Sequence, residues 1–192
     1  MLSDENQRQL RAAIAGLVQA QANVLRSIPD GTAHITLAFM GRAGEGDVAG
    51  IQSAMREVTM ARERIAIELA GTRVLRARHD PRLVLLPVSA GAGQVIALAR
   101  DLQRAITTRL PSLELSSAKD AHVTLARFRK HARAADGRVV EQTLTASGLA
   151  SLVLHEDVRA IRLFDSRLTP SGPEYVELPS AVDFPRDCQE AL

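Results

Sequence analysis

The sequence predicts an α+β fold in which two pseudo-symmetric lobes place antiparallel sheets along a central cleft and helices outside. Three observations carry the prediction. Several stretches keep the 3.6-residue apolar period of amphipathic helices, β-rich runs fall between them, and one order of elements occurs twice.

Ser3 or Asp4 caps a first helix whose apolar positions Leu10, Ile14, Leu17, Val24, Leu25 and Ile28 stay in period until Pro29 stops it. After the turn Asp30-Gly31-Thr32, residues 33–40 read as a strand closed by Gly41. A second helix spans about 48–62, with Ile51, Met55, Val58 and Met60 toward a core. Strands follow at 65–69, 73–77 and 83–88, broken by Gly71 and by His79-Asp80-Pro81. Past Gly91-Ala92-Gly93 a helix runs over about 94–109, with Pro111 as its stop. Residues 121–128 form a strand, a helix falls near 138–145, and strands are expected at 152–155, 158–167 and 174–178. Thr169-Pro170-Ser171-Gly172-Pro173 has the chemistry of the turn that joins the last two.

Helix, proline stop, Ala-His-apolar-Thr-Leu-Ala strand, helix and further strands thus occur in about 4–88 and again in about 92–178. Either half alone is too small for a stable core. Residues 1–192 are therefore expected to form a single bilobal domain, with the two equivalent strands facing across a pseudo-twofold axis.

Composition narrows the function classes. The chain has 192 residues, 46% of them apolar, and a formal charge of +2, so no bulk electrostatic track for nucleic acid is advertised. Lys119 and Lys130 are the only lysines, and the arginine excess, which genome composition also produces, suits bidentate pairing with phosphate. Aromatics at 3% with no Trp disfavour an extended base-stacking platform. One cysteine, Cys188, excludes an intramolecular disulfide and a Cys-based zinc site, and its place near the end argues against a catalytic thiol. No apolar run long enough for a bilayer is present and the first residues are polar, so a cytoplasmic protein without a membrane partner is expected.

In a strand alternate side chains share a face, so His34 projects with Thr36, and His122 with Thr124. Five His and ten Thr give about 0.3 His-x-Thr matches by chance, so two matches in equivalent repeat positions carry weight. Read as structure alone, the pair would be satisfied strand histidines. A metal pair is disfavoured, because His-x-Thr lacks the second strong ligand of His-x-His and no carboxylate sits two residues after either histidine.

His34-Ile35-Thr36-Leu37 and His122-Val123-Thr124-Leu125 resemble the paired motifs of the two-histidine phosphoesterases. Leu37-Ala38-Phe39-Met40-Gly41, the stretch 81–88 and the stretch 163–175 narrow the resemblance to RNA 2′,3′-cyclic phosphodiesterases, also called 2′-5′ RNA ligases. That resemblance implies a bilobal fold with both motifs in a central cleft. It further implies hydrolysis of an RNA terminal 2′,3′-cyclic phosphate to a 2′-phosphate without metal or other cofactor. By resemblance His122 is the proton acceptor, His34 the proton donor, and Thr36 and Thr124 bind the non-bridging oxygens. Arg127 matches a basic position expected to touch phosphate, although strict alternation puts it on the face opposite His122, which leaves Arg129, Lys130 or Arg42 as alternatives. Phe39 is read either as a ring stacking on a base or as core packing, and Phe128 as core. His79, His131 and His155 read as surface or loop histidines.

The start departs from the family, which begins with an apolar strand before the first helix. Without one a sheet edge is unpaired, to be covered by Ala181-Val182-Asp183-Phe184 or a partner chain. No obligate protein partner is expected; the partners are RNA ends or nucleotides bearing the cyclic phosphate. Competing readings are a phosphodiesterase for a small cyclic nucleotide or 2′-5′ oligonucleotide, and a non-catalytic RNA-binding relative.

Overall fold

The computed structural model describes residues 1–117, 120–169, 172–179 and 181–185; Pro170 and Ser171 of the expected turn, Lys119 and Cys188 lie outside them. In chain order the elements are α1 (Asp4–Ala20), β1 (Leu25–Ser27), β2 (Ala38–Met40), α2 (Val48–Met60), β3 (Ile65–Ala70), β4 (Arg73–Ala77), β5 (Asp80–Ala90), α3 (Ala92–Arg109), β6 (Leu115–Ser117), β7 (His122–Phe128), α4 (Ala134–Ala146), β8 (Val153–Val158), β9 (Ala160–Ile161), β10 (Phe164–Thr169), β11 (Gly172–Glu177) and β12 (Val182–Asp183). The α+β class expected from the pattern is thus what forms. Two compact units result: one from Met1–Thr36, Ile67–Ala92 and Asp120–Glu156, the other from the intervening stretches. Each unit draws on both halves of the sequence, and both His-x-Thr motifs belong to the first.

The first unit is built on an antiparallel sheet in the order β1-β7-β5-β3-β8, with β4 also paired to β5. Helices α1 and α4 contact β1, β7, β4 and β5. They bring Leu10, Ile14 and Leu17, and Val140 and Leu144, into a core with Val84, Leu86, Val123 and Ala126, all excluded from water. The Ser3 hydroxyl caps α1 by accepting from the Asn6 N–H. Buried Asn6 then donates to the His155 carbonyl at 2.8 Å and to Glu156 at 2.9 Å, fastening the helix start to β8.

Two segments depart from the periodicity. Helix α1 ends at Ala20 rather than at Pro29, because residues 25–27 pair with Phe128, Arg127 and Ala126 of β7. Leu25, in helical phase with Leu17 by sequence, is buried as a strand residue at 1% exposure. Ladder hydrogen bonds to a fixed neighbour outweigh the small propensity difference that would prolong the helix. The strand expected over 33–40 is likewise divided. Gly31, at φ 73, turns the chain, Ile35 makes one isolated bridge to Val123, and Ala38–Met40 pairs with β6 in the second unit.

In the second unit Ile51 and Met55 of α2 and Leu98 and Ile106 of α3 are buried, and Arg109–Glu57 and Arg62–Asp101 ion pairs link the two helices' neighbourhoods. Met60 is 71% exposed rather than core: nine residues beyond Ile51 is two and a half turns, the opposite helix face. Phe39 is 59% exposed on β2, which overturns its core-packing reading, whereas Phe128 is buried. The run expected over 158–167 is broken at Arg162-Leu163 into β9 and β10. Val182 and Asp183 pair with Ile161 and Ala160 of β9, and β1 takes the place beside β7.

Candidate active site

β7 positions one half of the site. Val123 and Leu125 are buried on the helix-covered face, so His122 and Thr124 project to the other face, where both are half-buried. The Ile35–Val123 bridge lays residues 34–36 along the edge of β7. Since Ile35 opposes Val123, the residues on either side of it, His34 and Thr36, project to the same face as His122 and Thr124. The four side chains singled out from sequence are therefore brought together within one compact unit, on directly adjacent backbone segments.

The two imidazoles are held alike. His34 Nδ1 lies 2.6 Å from the Thr32 carbonyl oxygen and His122 Nδ1 lies 3.1 Å from the Asp120 carbonyl oxygen. A carbonyl only accepts, so Nδ1 is the protonated nitrogen in each ring, and Nε2 carries the lone pair of the neutral form. Burial pushes the His34 pKa below the ordinary imidazole value; the bond to Thr32 opposes this, and the nearby positive charges of Arg127 and His122 add to it.

The coupling between Arg127 and His34 shows that Arg127 does not turn away from the site. β5 pairs Leu83 with Arg127 and Val84 with Ala126, but Leu85 with Thr124, so Leu125 is an extra residue in β7. This β-bulge advances the alternation by one position. Burial records the slip: Leu125 and Ala126 are consecutive buried residues, and Arg127 returns half-buried to the face of Thr124. The alternation objection is thereby removed. Exposed Arg129 is instead spent on the Ala22 carbonyl at 3.1 Å, while Lys130 and Arg42 are exposed. His79 and His131 are exposed outside the strands, His131 bonding the Asn23 carbonyl at 2.9 Å, and His155 is exposed on β8.

Sequence reasoning missed Gln7. Its side-chain amide donates to the Ala33 carbonyl at 2.8 Å and accepts from the Ala33 N–H at 3.0 Å, clamping the residue just before His34 where no strand ladder holds the backbone. A Gln on the buried side of a helix, three positions before Leu10, was the available signal. Leucine at position 7 leaves the Ala33 N–H, in a buried residue, without its acceptor, a cost of about 1–3 kcal/mol. Gln7→Leu is expected to lower kcat about tenfold in the wild-type background and by less than twofold in a His34→Ala background. Equal losses in both would make Gln7 a purely structural residue.

The profile of the 2′-5′ RNA ligase superfamily matches residues 4–160, a span that includes α1, both His-x-Thr segments and β7. The chain belongs to the 2′-5′ RNA ligase superfamily. It is 33% identical over 157 residues to an RNA 2′,3′-cyclic phosphodiesterase of Aeropyrum pernix, covering 80% of this chain and 84% of that protein. With an RNA 2′,3′-cyclic phosphodiesterase of Archaeoglobus fulgidus it shares 32% identity over 148 residues, 76% of each chain. Among solved structures, E. coli LigT complexed with 3′-AMP superposes with a TM-score of 0.65 over 93% of this chain and 92% of that one at 15% identity, a likeness of fold. This superfamily member has no helix, among its described residues, long and apolar enough to cross a membrane.

Proposed function

We propose that the protein hydrolyses the 2′,3′-cyclic phosphate at RNA ends to a 2′-phosphate by His/His acid–base catalysis without metal. The observation that carries the reading is the matched pair of imidazoles, each with Nδ1 tied to a backbone carbonyl and each accompanied by a threonine on the same face. His122 Nε2 takes a proton from water as its oxygen attacks phosphorus; the P–O3′ bond breaks, and the proton on His34 Nε2 passes to the departing O3′. The products are a 2′-phosphomonoester and a 3′-hydroxyl, and solvent exchange restores both rings. Thr36 and Thr124 donate to the non-bridging oxygens, and the Arg127 guanidinium offsets their charge. With a 5′-hydroxyl in place of water the same groups form a 2′-5′ linkage, reversibly. Among the described residues no three His, Cys, Asp or Glu side chains converge on a metal-sized point, which supports acid–base chemistry. The exposure of Phe39 supports base stacking as its role.

An oligonucleotide ending in 2′,3′-cyclic phosphate, incubated with the protein in EDTA, is expected to yield the 2′-phosphate end. No product, or product only with added divalent metal, would sink the reading.

The depressed His34 pKa sets a second expectation. The acid must carry a proton, and in the free enzyme less of it does so near neutrality than for an ordinary imidazole. A bound phosphate anion favours the imidazolium, so binding draws a proton onto His34. NMR titration of the His34 ring should give an apparent pKa below 6.5 in the free protein and a higher one with saturating adenosine 2′-phosphate. A ring that titrates identically in both states would remove His34 from contact with the anion.

A further inference from the structure

β1 carries an arginine that neither the motifs nor the mechanism uses. Arg26 is the Cα partner of Arg127 across the β1–β7 ladder, one strand spacing of about 4.8 Å away. Directly opposed residues of antiparallel strands share a face. Leu25 and its partner Phe128 are both buried beneath the helices, so Arg26, half-buried, projects with Arg127 to the face of His34 and His122. Beyond Arg127 the same row continues across β5 and β4 as Leu83 and Leu75, the latter 38% exposed.

Two guanidiniums placed directly opposite each other oppose strand pairing, by about 0.2–1 kcal/mol for like charges at such a position. Among the described residues no carboxylate lies within ion-pair distance of Arg127. A local rule broken beside a reactive centre points to a ligand that repairs it, and the ligand that suits two facing guanidiniums is an anion between them. The reacting phosphate engages the His and Thr residues farther along β7. An RNA end offers a second anion at the right side: the phosphodiester on the 5′ side of its terminal nucleotide, which a mononucleoside cyclic phosphate lacks.

We propose that Arg26, facing Arg127 across the β1–β7 ladder, binds the phosphodiester 5′ to the terminal nucleotide and makes the site prefer RNA ends over cyclic mononucleotides. The inference rests on the cyclic phosphodiesterase reading. It makes β1, at the sheet edge, a specificity element, with Arg26 acting on the neighbouring nucleotide and Arg127 shared between the two phosphates.

The test compares kcat/KM on a dinucleotide ending in 2′,3′-cyclic phosphate with kcat/KM on the cyclic mononucleotide of the same base. Arg26→Ala is expected to lower the dinucleotide-to-mononucleotide ratio about tenfold, chiefly through KM, with Arg26→Lys recovering part of it. The logarithmic salt dependence of dinucleotide binding should flatten by about 0.7, one phosphate contact on a single strand. A ratio within twofold of wild type, or an unchanged salt slope, would overturn the assignment. Should the wild-type protein turn over neither substrate, the phosphodiesterase reading fails by itself. Arg26 is then judged by the Kd ratio of a dinucleotide and a mononucleotide that each end in 2′-phosphate: a tenfold change on Arg26→Ala supports it and no change overturns it.

Discussion

His122→Ala is expected to lower kcat on a 2′,3′-cyclic phosphate end by about 10²- to 10⁴-fold, and His34→Ala by the same order, since each removes one proton transfer from the transition state. The losses should appear in kcat with KM changed little, because neither ring is needed to hold the ground-state anion once the threonines and Arg127 are present. The two losses differ in what repairs them. Alkoxide is a poor leaving group and needs a proton from the acid. A thiolate, whose conjugate acid has a pKa near 8.5, leaves without one. A substrate with sulfur in place of the 3′ oxygen should therefore restore most of the rate of His34→Ala and little of that of His122→Ala. Rescue of His122→Ala alone would exchange the two roles, and retention of wild-type kcat by either alanine variant would end the two-histidine mechanism. pH–rate limbs cannot make this distinction, since with coupled rings they belong to the pair rather than to one residue.

The chemistry-bearing residues were readable because the motif is local and occurs twice. His-x-Thr needs only the two-residue period of an extended backbone to put both groups on one face, and residues 34–36 and 122–124 supply it even though the first segment joins no regular strand. What the sequence concealed depends on neighbours. Leu25 and Ile28 continue the helical period of α1, and the partner that makes residues 25–27 a strand lies about a hundred positions on, in β7. Nothing in Thr-Leu-Ala-Arg announces that Leu125 is one residue too many for β5, so simple alternation sends Arg127 to the wrong face. Nor could the spacing reveal that Gln7 holds Ala33, or that Thr32 and Asp120 supply the carbonyls that choose the ring tautomers. Local pattern was enough for which groups act; their orientation and supports came from non-local register.

Thr124→Val should lower kcat by about 10²- to 10³-fold, the scale observed when a donor to a developing oxyanion is deleted. Valine keeps the β-branched shape that β7 favours, so the strand and its pairing to Leu85 should persist and the melting midpoint stay near that of wild type. Serine keeps the hydroxyl and should retain activity within about tenfold. If serine is as damaging as valine, the methyl and not the hydroxyl matters, and the oxygen-binding role is lost. Thr36→Val should show the same loss, but its hydroxyl sits in a segment held by a single bridge and by the Gln7 clamp, whereas Thr124 is fixed in a strand with neighbours on both sides. An oriented donor contributes only while its backbone stays in place. Gln7→Leu combined with Thr36→Val should therefore cost clearly less than the product of the single losses, while Gln7→Leu combined with Thr124→Val should approach that product. The opposite pattern would mean that Gln7 acts on β7 rather than on the segment beside it.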